Sequence, residues 1–143
     1  MLFIWYLSLG CNVCDCVAGF SRLLNLIDNS FDALLLTLPV IETESWVAEI
    51  NFFINSCIKL VTSNSVWFLI ARAKFFERYV TRGVRFRWLD RLIDIDIIWG
   101  SNYIKINKLS VPHIYLNDRK FVVTFVATLF KNLFLHKLLC VLI

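Results

Sequence analysis

With 143 residues there is room for one domain, or a small domain with extensions, and no more. Hydrophobic residues make up 59% of the chain and charged residues 18%, which excludes the usual soluble balance of about half and a quarter and favours a lipid environment or burial against large partners. The net charge of +4 conceals an asymmetry: residues 1–71 hold two basic against six acidic residues, and residues 72–143 hold thirteen against five, so the second half calls for a polyanionic partner.

The chain opens on an apolar stretch, Met1 to Phe20, one of three that approach the roughly 20 residues a spanning helix needs. It is interrupted by Asp15 and the "CNVCDC" cluster. The others, Asn51 to Ala71 and Phe121 to Ile143, are interrupted by Asn55, Lys59 and "TSNS", and by Lys131, His136 and Lys137. Central charges cost about 2.5 to 3.5 kcal/mol each on insertion scales, so none makes a sound span. No basic segment precedes the first stretch, as a cleaved secretory signal would require, and the Arg- and Ser-rich character of a transit peptide is missing. A protein working in an organelle would then be expected to be made there. Cys11, Cys14 and Cys16 have spacing that offers part of a zinc or iron–sulfur site, but neither His113 nor His136 lies near to complete four ligands. Buried, reduced thiols are the expectation.

Leu, Ile and Phe at three- and four-residue spacings from Ser21 to Leu38, closed by Pro39, predict an amphipathic helix, and Thr43 or Ser45 with early acids starts a second over "ETESWVAEINFFINSCIKLV". Residues 1–65 therefore read as an apolar, mainly helical extension. Ser63 to Ser65 form a break, and "VWFLIARAKFFERYVTRG" predicts a helix running to Gly83. At roughly 100° per residue, Lys74, Arg78, Arg82 and Arg85 gather on one side, with Phe75, Phe76, Tyr79 and Val80 on the other. A shorter helix is expected over "RWLDRLIDI", with Arg87 and Arg91 one turn apart. After Gly100 the period falls to two: Ile104 and Ile106 alternate with polar residues, "NK" turns the chain, Leu109 and Val111 alternate again before Pro112, and "KFVVTFV" supplies a last strand. Residues 126–143 read as an apolar C-terminal helix.

This order of basic helix, Gly83–Val84, second basic helix, Gly100, alternating strand, turn, second alternating stretch and Pro112 resembles the RNA-binding domain named after small-subunit ribosomal protein four. The run "GSNYIKINKLSVP" carries the likeness in Gly100, Ile104, Leu109, Val111 and Pro112, over roughly residues 75–123. The resemblance implies an α+β fold: a two-helix plus small curled sheet module within residues 66–125, between mainly helical apolar extensions. It further implies a structural constituent of a mitochondrial small ribosomal subunit that binds its ribosomal RNA. On this reading Lys74, Arg78, Arg82, Arg85, Arg87, Arg91, Lys105 and Lys108 meet phosphates, and Trp88 or Tyr103 stacks on a base. The apolar ends pack on neighbouring mitochondrial ribosomal proteins.

No catalytic constellation is read from the sequence. His113 and His136 lack a partnered carboxylate or nucleophile, and Asp90, Asp94 and Asp96 read as caps or as partners of Arg87 and Arg91. Neither an enzymatic activity, a cofactor nor a small-molecule substrate is expected. The competing reading is a membrane-embedded accessory subunit of a mitochondrial respiratory or ATP-synthase complex, its basic stretch lying among anionic lipids.

Overall fold

A computed structural model of the chain describes residues 1–12, 15–30, 33–37, 39–44, 52–80, 93–106, 109–118, 121–125 and 127–128. The first apolar stretch is a strand, β1 (Phe3–Cys11), followed by α1 (Cys16–Ser30), β2 (Ala33–Thr37), β3 (Ile41–Glu44), β4 (Phe52–Thr62), α2 (Val66–Val80), β5 (Asp94–Gly100), β6 (Ile104–Ile106) and β7 (Leu109–Val111). The main sheet runs β2-β4-β1-β5 and every pairing is antiparallel. β2 takes the Ile58–Thr62 half of β4 and β3 takes the Phe52–Asn55 half, so the two short strands lie end to end on one edge. β6 and β7 form a separate two-stranded hairpin.

The expectation of a mainly helical N-terminal extension is therefore corrected. β1 and β4 are the inner strands, buried on both faces, and such strands read as near-continuous apolar runs without the alternation that would betray them. The predicted helix over Ser21–Leu38 ends at Ser30 and gives way to β2; the helix expected from Thr43 is instead β3 and β4. The last strand expected from Phe121 is helical over residues 121–125. Two elements stand as read: α2, over most of its expected length, and the hairpin before Pro112.

Directly opposed residues of paired strands share a face. Trp5, Leu7 and Leu9 of β1, Ile58 and Leu60 of β4, and Ile95 and Ile97 of β5 form one face with Leu23 and Ile27 of α1 and Leu69, Ala73 and Phe76 of α2. This is the principal core. Burying a Leu, Ile or Phe side chain contributes about 1.5–3 kcal/mol, and the register of β1 is fixed because a one-residue slip would turn this set outward. Gly100 belongs here for a steric reason: a Cβ at that position would overlap Cε3 and Cζ3 of the fully buried Trp5. The opposite face carries a smaller cluster in which Tyr6, Cys57 and Ile98 pack against Val122 and Phe125, with Leu116 and Phe121 at its margin.

α1 is joined to β1 by a disulfide between Cys11 and Cys16, whose Cα atoms are 5.7 Å apart, with Asp15 between them in the left-handed region at φ 72°. The expectation of reduced thiols fails for this pair: the tight β1–α1 connection brings both sulfurs into the core. Cys57 is free and buried, and Cys14 lies outside the described residues.

Candidate active site

The sheet face opposite the helices is polar at one end. In one transverse row β4, β1 and β5 place Asn55, Gly10 and Asp94 side by side; in the next they place Cys57, Ser8 and Asp96. Each residue is in place because of its register, two positions from its counterpart in the neighbouring row. Asp94 and Asp96 thus stand on one face of β5, about 7 Å apart along the strand, both half-buried.

Each wall of this trough is held by a specific contact. Asn55 is buried, and its Nδ2 donates to Thr43 Oγ1 of β3 at 2.6 Å, which turns Oδ1 toward Gly10. A Cβ on Gly10 would lie 3.5 Å from that oxygen and 4.0 Å from Asp94 Cβ, so glycine keeps the floor between the two polar side chains open. On the outer edge of β5, the Ile95 N–H donates to Glu77 Oε1 of α2 at 2.9 Å. The same carboxylate accepts from Lys74 Nζ at 2.9 and 3.1 Å. A single glutamate therefore fixes the residue lying between the two aspartates. Further along, the His113 N–H donates to the Ile98 carbonyl at 3.0 Å, bringing the segment after β7 against β5. His113 Nδ1 accepts from the Tyr115 N–H at 3.3 Å, which leaves Nε2 to carry the ring hydrogen of the neutral imidazole.

The other end of this face is closed by Leu116, Phe121, Val122 and Phe125. There burial pushes the Cys57 thiol up to about 12, and burial with the neighbouring Cys57 raises the Tyr6 phenol. Burial lowers Lys59, whose side chain shares this face in the row beyond Cys57 and makes no ion pair with a described residue. A thiol held protonated is no nucleophile, so Cys57 serves as floor rather than as chemistry.

Among the described residues no group of three His, Cys, Asp or Glu side chains forms a metal cluster. The two carboxylates still fit one hard cation: Mg²⁺ is commonly held by one or two carboxylates, with water and substrate phosphates filling its remaining positions.

The residues expected to meet RNA are scattered. Lys74 is on α2, paired with Glu77; Arg78 is exposed in the last turn of the same helix; Lys105 is exposed on β6; Tyr103 is 74% exposed beside the hairpin. Arg82, Arg85, Arg87, Trp88, Arg91 and Lys108 lie outside the described residues. The end of the expected second basic helix is β5, which places Asp94 and Asp96 on a strand facing Asn55 rather than on a helix beside Arg91.

A sheet with a carboxylate pair on one edge strand, an amide two strands away and a bare glycine between them is suited to a small polar substrate and a charged one side by side. A model of the 7,8-dihydro-6-hydroxymethylpterin-pyrophosphokinase family matches residues 6–131, and the chain belongs to that family. Among its relatives, the 2-amino-4-hydroxy-6-hydroxymethyldihydropteridine pyrophosphokinase of Aquifex aeolicus is 32% identical over 120 residues, covering 82% of this chain and 74% of that protein. The enzyme of the same name from Porphyromonas gingivalis W83 is 31% identical over 125 residues, 83% of this chain and 85% of that one. The mitochondrial folate synthesis bifunctional protein of Pisum sativum is 30% identical over 118 residues, 81% of this chain but 23% of the longer pea protein.

These findings overturn the ribosomal reading in several respects: the family, the two-helix module with helical extensions, the structural role, the ribosomal RNA and protein partners, and the absence of an enzyme and of a small-molecule substrate. They equally overturn the respiratory or ATP-synthase alternative. The likeness of Gly100–Pro112 to the ribosomal module has a physical origin: small and aliphatic positions spaced for any strand–turn–strand ending in proline meet it, and Gly100 is required here by Trp5.

Proposed function

We propose that the chain transfers a pyrophosphoryl group from ATP to 7,8-dihydro-6-hydroxymethylpterin. The hydroxymethyl oxygen attacks Pβ; a bond forms between them as the bond from Pβ to the α–β bridging oxygen breaks, AMP departs with that oxygen, and the hydroxyl proton passes to solvent. The observation that carries the reading is the register that sets Asp94 and Asp96 beside Gly10 and Asn55 on the sheet face away from the helices, in a chain of this family.

Asn55 offers a planar, pre-oriented amide that matches the lactam and amino edge of a pterin, and the bare Gly10 lets a flat ring lie against the strand. Asp94 and Asp96 would hold Mg²⁺, which when bound neutralises charge on the transferring phosphates. Glu77 fixes the strand that carries them. His113 presents Nε2–H as a phosphate donor next to β5. The basic run Arg82, Arg85, Arg87 and Arg91 enters β5 directly in sequence, with Arg91 three positions before Asp94. The polyanion that this half of the chain calls for is then a nucleoside triphosphate, recognised by the planar forks of arginine.

The test is AMP formation from ATP, Mg²⁺ and hydroxymethyldihydropterin by the purified chain, followed chromatographically. Asp94→Asn and Asp96→Asn each lower the rate about 100-fold or more, the scale of losing one charge-stabilising group in a phosphoryl-transfer site, while thermal unfolding stays near wild type. Pterin-independent AMP release, or full activity in both variants, refutes the assignment.

A further inference from the structure

α2 packs Val66, Leu69, Ala73, Phe76 and Val80 into the core, and its opposite side is the anomaly of this surface. A surface helix is normally charged or polar where it faces water. The seven exposed residues of α2 are Trp67, Phe68, Ala71, Lys74, Phe75, Arg78 and Tyr79: four aromatics, two cations, one alanine and no acid. The aromatics are well exposed, Trp67 at 55%, Phe68 at 41%, Phe75 at 49% and Tyr79 at 53%. They are ordered among themselves: Phe75 stacks on Tyr79 with centroids 5.9 Å apart, and the Arg72 guanidinium lies 5.9 and 5.3 Å from the Phe68 and Phe75 rings. Glu77, the acid of this helix, is turned away to Ile95 and Lys74. Past the N-terminal end of α2, Trp67 faces Tyr103, Lys105 and Ile106 across an open groove of about 740 Å³, which continues the same aromatic and basic chemistry onto the hairpin.

We propose that the outer side of α2, with the neighbouring hairpin, is a docking surface for an anionic lipid bilayer. Aromatic side chains with an apolar body settle at the boundary of headgroups and acyl chains, and lysine and arginine beside them are drawn to negative headgroups. Fifteen helical residues present a strip about 22 Å long lying flat on the membrane. The contact is peripheral, since no helix among the described residues is long and apolar enough to cross a membrane. Charge decides against a second copy as the occupant: α2 carries Arg72, Lys74 and Arg78 against the one acid Glu77, so two such helices of net charge +2 would repel, whereas an anionic surface complements that charge. The candidate active site lies on the other face of the sheet, away from the docked helix side.

The experiment is flotation of the full chain with vesicles of phosphatidylcholine alone and of phosphatidylcholine with about 30% phosphatidylglycerol. The chain floats with the anionic vesicles, is released by about 0.5 M salt, and stays down with the neutral ones. Arg78→Glu weakens binding more than about fivefold, the effect of removing one cation at such a surface, and Phe75→Ser with Tyr79→Ser abolishes it. AMP formation in solution is unchanged in both, so failure here is distinguishable from failure of the enzymatic assignment. Should the serine pair unfold the chain, Arg78→Glu alone decides. Absence of flotation, flotation indifferent to lipid charge, or a concentration-dependent dimer lost in the serine variant overturns the proposal, the last in favour of a second copy.

Discussion

Glu77 is the side chain on which the aspartate strand depends, and the consequence of removing it can be worked through. In Glu77→Ala the Ile95 N–H at the edge of β5 loses its acceptor at 2.9 Å. A partly buried orphaned donor costs about 1–3 kcal/mol. The ion pair with Lys74 adds little, about 0–1 kcal/mol, because the lysine side chain is 58% exposed and the pair is screened by water. The sum, about 1–4 kcal/mol, corresponds to a fall in Tm of roughly 2–16 °C for a domain of this size. In Glu77→Gln the side-chain carbonyl still accepts from Ile95, and the loss is below about 1 kcal/mol. Thermal unfolding by circular dichroism measures these, and AMP formation shows whether β5 still presents Asp94 and Asp96: kcat falls about tenfold in the alanine variant, a displacement effect, and recovers with glutamine. Glutamine as harmful as alanine, or an alanine variant with wild-type Tm and rate, would refute the idea that this hydrogen bond positions the strand.

Two further outcomes follow from the packing. Gly100→Ala drives a methyl group into the fully buried Trp5 ring and lowers stability by about 1–3 kcal/mol, read as a shifted denaturation midpoint, and Trp5→Leu in the same chain returns part of it. Cys57, ordinarily near 9 and raised to about 12 by burial, resists alkylation in the native chain. Above pH 9 the unfolded chain sheds that proton and the folded one keeps it, so the stability this thiol contributes is complete below 9 and declines as pH rises toward 12. Tyr6 acts in the same direction and Lys59 in the opposite one, its depressed ammonium favouring the folded state as pH climbs to 10.5. Urea titrations across this range show a shallower alkaline decline in Cys57→Ala, and an unchanged slope contradicts the assignment.

What was legible in the sequence was local. α2 shows because its buried residues recur at helical spacing and its start follows a serine, and the hairpin shows because Ile104, Ile106, Leu109 and Val111 alternate around a turn. β1 and β4 were hidden by their central position, since a strand buried on both faces has no polar side to alternate with. Asn55 and Lys59 look like flaws in a span and are buried polar residues of β4 on the face away from the helices. The site had no local motif to find, because Asn55, Gly10 and Asp94 are neighbours only through pairing of three strands. One signal was available: "IDIDI" alternates strictly over Ile93–Ile97, a strand period that sets Asp94 and Asp96 on one face. Their proximity to Arg87 and Arg91 in the sequence fits a cap or an ion pair equally well, which masks the pair as a site.

Consecutive residues of β1 answer to different neighbours: Trp5, Leu7 and Leu9 to the helices, Tyr6, Ser8 and Gly10 to the substrate face. The strand therefore carries two interleaved sets of requirements that can diverge independently by substitution. Neither set tolerates a change in length, for losing or gaining a single codon inside β1 would trade one list for the other and abolish folding and catalysis together.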